Sequence, residues 1–138
     1  MLTSGAPLRV LDAGCGVGQS TFPLLEALPQ AQVTAVDLSP YFLHVARERD
    51  TAGRVSWQQR CLESLPEDWA GQFDLVTLVG VTHELPQHAM RSCLAELHRV
   101  LRPGGTLLAM DTDPRRIRGM PAFVYVMFRS TEPDMDDY

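Results

Sequence analysis

The chain has 138 residues, 45% of them hydrophobic and 21% charged, with a formal net charge of −5. That length suits one domain, residues 1–138, with a real core, and the negative balance offers no general attraction to a polyphosphate backbone, so no nucleic-acid partner is expected. No apolar run approaches bilayer length, and the start MLTSGAPLRV shows neither the basic residues nor the apolar stretch of a secretory signal.

Cys15, Cys61 and Cys93 are odd in number, far apart and outside any CxxC pair. They suit a reducing compartment, with the cytoplasm expected, and argue against a disulfide frame or a zinc site.

The patterning alternates strand and helix from the start. Leu8 to Leu11 predicts a short strand ending in Asp12, followed by a glycine-rich turn. A helix is expected from about Gln19 to Leu28, where Phe22, Leu25 and Leu28 share a face and Pro23 falls in the tolerant first turn. Val33 to Val36 predicts a second strand ending in Asp37. Ser39-Pro40 then starts a helix that runs to about Asp50. Arg54 to Gln59 reads as a weaker third strand, and Phe73 to Val79 as a nearly continuous apolar fourth, as a sheet covered on both faces requires. Met90, Leu94, Leu97 and Leu101 repeat at helical spacing in a helix from about Gln87 to Leu101. Arg102-Pro103-Gly104-Gly105 stops it, and Thr106 to Met110 is the fifth strand. Strands alternating with helices imply a parallel sheet with right-handed crossovers.

Two motifs carry chemistry. Asp12-Ala13-Gly14-Cys15-Gly16-Val17-Gly18 leaves the backbone open to a close ligand and then opens a helix, whose N-terminus favours negative groups. Val36-Asp37-Leu38 puts a carboxylate 25 positions after Asp12, where it can accept the hydroxyl hydrogens of a ribose. A NAD-type Rossmann domain shares both features, but its fingerprint is GxGxxG. Here the spacing is GxGxG, with Gln19 where the third glycine of that fingerprint would stand.

At this point the chain resembles the class I S-adenosylmethionine (SAM) dependent methyltransferases, whose first motif is [DE]xGxGxG. Phe73-Asp74-Leu75-Val76, His83-Glu84-Leu85-Pro86 and Arg99-Val100-Leu101-Arg102-Pro103-Gly104-Gly105 are similar to later landmarks of that superfamily. The closest branch is the small-molecule one that includes ubiquinone/menaquinone C-methyltransferases, and the similarity runs from Leu8 to Asp113.

The resemblance implies a Rossmann-like doubly wound α/β sheet of strand order 3-2-1-4-5, SAM as cofactor, and methyl transfer to a small-molecule acceptor. By the same resemblance, Gly14, Cys15 and Gly16 of the Gly14–Gly18 loop line the methionine end of SAM through backbone groups. Asp12 braces the loop or meets the amino group. Asp37 holds the ribose and Leu38 packs on adenine. Val79 and Gly80 lie beside the cofactor. Where the family often has an Asp accepting from the adenine amino group, this chain has Cys61, so backbone groups of Cys61 and Leu62 are left for that task.

Methyl transfer from a sulfonium is an in-line displacement, for which the protein mainly supplies proximity and alignment. His83, after the fourth strand, is the candidate base if the acceptor must lose a proton; alternatively His83 and Glu84 only fix the turn. His83-Glu84-Leu85-Pro86-Gln87-His88 is not a zinc motif, because its second His comes five residues on and Pro86 interrupts the helix. His44 and His98 read as surface or packing residues, and Arg115, Arg116 and Arg118 as a solvated turn. Two rivals to a working enzyme stand: a SAM-binding module without catalysis, and a NAD-type domain.

A full class I sheet has seven strands ending in an antiparallel pair, and only five are found. Residues 112–138 read as one helix around the apolar run Met120 to Phe128 and an acidic tail. The domain is therefore expected to be incomplete at both ends, with the fifth strand an uncovered edge prone to self-association.

Overall fold

The computed structural model describes residues 6–113. The basic cluster at Arg115 to Arg118 and the helix expected around Met120 to Phe128 lie outside them.

Among the described residues, five strands, β1 (Arg9–Ala13), β2 (Gln32–Asp37), β3 (Val55–Gln59), β4 (Phe73–Val79) and β5 (Leu101–Met110), form one parallel sheet of order β3-β2-β1-β4-β5. This is the order expected. Side chains alternate between the two faces along each strand. Val10 and Val33 point to the face covered by α1 (Thr21–Ala27), with Ala35 beside them meeting Leu43 of α2 (Pro40–Arg49). Leu11, Val76 and Leu78 point the other way and meet Cys93, Leu97 and Val100 of α3 (Gln87–Val100). Helices thus cover both faces, and the chain direction of winding reverses between β1 and β4, the place where ligands bind in open α/β sheets.

Local chemistry sets the helix starts. Ser39 Oγ accepts from the Phe42 amide at 3.3 Å and Pro40 occupies the first helical position, so α2 begins where expected. The first helix is shorter than the predicted 19–28. Ser20 stands at its cap but makes no capping bond, because its hydroxyl donates to Asp12 Oδ2 at 2.8 Å.

The fifth strand begins five residues earlier than expected. Leu101 pairs with Phe73 while Thr106 pairs with Leu75, so residues 102–105 are accommodated by a shift of register within the strand. Arg102, inside that shift, pairs with Asp74 of β4. Among the described residues, β5 is the sheet edge next to β4, and Leu107, Leu108 and Met110 are exposed there. Among the same residues, no helix is long and apolar enough to cross a membrane.

Candidate cofactor site

The C-terminal ends of β1, β2, β3 and β4 open into a cavity of about 590 Å3, within the range of ligand pockets. The glycine loop forms its floor. The Gly14 and Cys15 amides both donate to the Val36 carbonyl, at 2.8 and 3.0 Å, and the Gly16 amide donates to Asp37 Oδ2 at 2.8 Å. These three N–H groups therefore point into the protein at β2.

Gly16 has φ +52°, and a Cβ built on it meets nothing within 4 Å. The position is open backbone in the cavity lining, with room for a close neighbour. Gly14 is closed instead, since a Cβ there would collide with Val81.

Asp37 ends β2 within the cavity lining. Besides Gly16, its carboxylate takes the Ser39 amide on Oδ1 at 2.8 Å. Each oxygen keeps a second acceptor position, so two further hydroxyl donors can be met. Leu38 and Phe42 stand at the mouth, 66% and 51% exposed, two apolar surfaces suited to a flat ring. The segment after β3 adds Cys61 and Leu62, and the end of β4 adds Val79 and Gly80. Cys15 is buried, and burial, reinforced by the Asp12 and Asp37 carboxylates, pushes its thiol up to about 12.

Three expected residues do not line the cavity: Asp12, Gly18 and His83. Asp12 is fully buried and accepts from the hydroxyls of Ser20 (2.8 Å), Thr21 (2.6 Å) and Thr77 (2.7 Å). It ties β1 to α1 and β4. Gly18 makes room for packing, since a Cβ there would sit 2.5 Å from Phe22 and 3.1 Å from Trp57. His83 lies in a single 3-10 turn, Thr82–Glu84, with Nδ1 2.6 Å from Asp111 Oδ1. Asp111 Oδ2 also accepts from the Thr82 amide and hydroxyl, at 2.7 and 2.5 Å. Glu84 and Leu85 reach the cavity where His83 does not.

The carboxylate of Asp111 feels opposing effects. Burial raises its pKa, but bonds from Thr82, Thr112 and His83 outweigh that and hold it at about 2. Sequence reasoning missed Asp111 and Thr77, because each acts on a partner many residues away. Phe42 was readable as the residue one turn after Leu38 in the helix that starts beside Asp37. Among the described residues, no three His, Cys, Asp or Glu side chains gather as a possible metal site.

The family profile described as "Methyltransferase domain" matches residues 10–105. The chain belongs to this methyltransferase family. Its fold and landmarks are those of the class I SAM-dependent enzymes. A trans-aconitate 2-methyltransferase of Azoarcus sp. is 43% identical over 100 residues, covering 71% of this chain and 36% of the relative. A ubiquinone/menaquinone biosynthesis C-methyltransferase of Methylobacterium nodulans is 36% identical over 118 residues, covering 83% and 46%. The crystal structure of an S-adenosylmethionine dependent methyltransferase from Mesorhizobium loti aligns with a TM-score of 0.64 at 27% identity, over 82% of this chain and 50% of that one. This methyltransferase chain spans less than half the length of the first curated relatives it matches.

Proposed function

We propose that this chain binds SAM in the cavity at the ends of β1 to β4 and transfers its methyl group to a small-molecule acceptor. One observation carries the reading: the open backbone at Gly16 and the carboxylate of Asp37 face one cavity and are hydrogen-bonded to each other at 2.8 Å. Small-molecule acceptors are supported by the names of the two curated relatives, trans-aconitate and ubiquinone/menaquinone methyltransferases.

When bound, SAM supplies a methyl already activated on a sulfonium. The chain's own residues bind and align. Asp37 takes the ribose hydroxyls, Leu38 and Phe42 hold the flat base, the Gly14–Gly16 backbone carries the methionine end, and Val79 and Gly80 flank it. The base is met by backbone groups of Cys61 and Leu62. His83 and Glu84 fix the turn after β4 in this reading, since His83 Nδ1 stands 2.6 Å from Asp111 Oδ1 and His83 does not line the cavity.

The free thiols at Cys15, Cys61 and Cys93 support a reducing, cytoplasmic setting, and the charge of −5 supports the absence of a nucleic-acid partner. The exposed apolar β5 edge supports self-association of the 138-residue chain.

Titration calorimetry with SAM, S-adenosylhomocysteine and NAD tests the cofactor. Binding of the first two and not the third is expected, and binding of NAD alone would overturn the reading. Methyl transfer from labelled donor to carboxylic and quinone-type acceptors then separates an enzyme from a domain that only binds.

A further inference from the structure

The first half of the glycine loop is held by β2, through Val36 and Asp37. The second half is held from a different element. Arg49, in the last turn of α2, reaches back over the loop and donates from Nη1 to the Val17 carbonyl at 2.7 Å. Its guanidinium lies 4.7 Å over the ring of Phe22, and Phe22 packs on Trp57 with centroids 5.8 Å apart. Trp57 is itself fixed, since its Nε1 donates to Asp50 Oδ2 at 3.1 Å. Gly18 lacks a side chain that would collide with Phe22 and crowd Trp57. Val17 lines the cavity, while Arg49 is exposed on the outer surface.

We propose that Arg49 is a positioning residue for the cofactor: it hooks the Val17 carbonyl and stacks on Phe22, and so holds the far half of the loop in the shape the cofactor meets. This rests on the SAM reading above. The chemistry suits the task. A planar, always-charged guanidinium can bond a carbonyl in its plane while stacking on a ring with its face, which an ammonium cannot do as well. The loop is then clamped between two residues of the same β2–α2 unit.

The test compares wild type, Arg49→Met and Arg49→Lys in the 138-residue chain, with two readouts. In calorimetry, Arg49→Met is expected to weaken SAM and S-adenosylhomocysteine alike by about three- to tenfold, the scale of a partly exposed charge-assisted bond. Arg49→Lys should recover part of the loss. In amide exchange without cofactor, Arg49→Met should speed exchange at Gly18 and Phe22, whose amides bond to the Cys15 and Gly18 carbonyls, and leave β1 and β4 unchanged. Unchanged affinity in Arg49→Met would overturn the proposal, as would exchange that rises across the whole sheet, the mark of a general stability role. If wild type itself fails to bind SAM, the functional reading falls, and the exchange arm alone still decides whether Arg49 holds the loop.

Discussion

The amide of Gly16 donates to Oδ2 of Asp37 at 2.8 Å, joining the loop after β1 to the end of β2 across the cavity floor. The acid is thus both a group facing the cavity and the post to which the cradle is tied. Its second oxygen is bound to the Ser39 amide, which seats the start of α2 in the same bond set.

Asp37→Ala is therefore expected to act twice. Loss of the proposed ribose contact should weaken SAM binding by about 1–3 kcal/mol, and loss of the Gly16 bond should loosen the loop. Titration calorimetry beside circular dichroism measures both. Unchanged affinity in a folded variant would remove Asp37 from the site.

Gly16 and Gly18 should separate when substituted. Gly16→Val puts its side chain into open cavity, so binding should disappear while the fold loses about 1–2 kcal/mol for the left-handed backbone. Gly18→Ala puts a methyl 2.5 Å from Phe22, so it should cost stability as well as affinity. Denaturant melts with and without SAM tell the two apart. A Gly16→Val chain that binds normally would show that the loop is not the cradle.

Asp111 gives an acid dependence with a definite sign. Its carboxyl stands at about 2 in the fold against an ordinary 3.8. The bonds it makes are therefore worth most above 3.8, and their contribution is lost as pH falls through about 2. Asp111→Asn should be less stable than wild type at neutral pH, and the gap should close as pH drops across that window. Urea melts at a series of pH values would show it; a gap independent of pH would mean that the carboxylate charge is not what holds the turn.

The three thiols should differ sharply. Cys61 is exposed and lines the cavity, while Cys15 and Cys93 are buried, and burial pushes them to about 12 and about 11. A thiol reagent at pH 8 should label Cys61 alone in the folded chain, and saturating SAM should slow that labelling. Peptide mass spectrometry identifies the site. Equal rates at all three cysteines, or no protection by SAM, would contradict this placement.

The order of elements and the positions of the glycine loop and Asp37 were legible in the sequence, because each is a local signal, while the strand order 3-2-1-4-5 came from the resemblance to a known family. Apolar period, Ser39-Pro40 at a helix start and glycines at a strand end act within a few residues of themselves. Even the absence of an Asp at Cys61 could be read from one position.

What the tertiary structure decided is where the polar groups go. The resemblance implied that Asp12 braces the loop or meets the amino group; the fold buries it against Thr77, 65 positions away. The resemblance implied backbone groups of Gly14, Cys15 and Gly16 as lining, and parallel pairing of β1 with β2 brings the Gly14 and Cys15 amides to the Val36 carbonyl. His83 looked placed for the cavity, and the length of β5 brings Asp111 to its ring instead. The physical reason is common to all three. A buried donor or acceptor takes the partner that strand register delivers, and register is set by packing across the whole sheet rather than by the few residues on either side of the group.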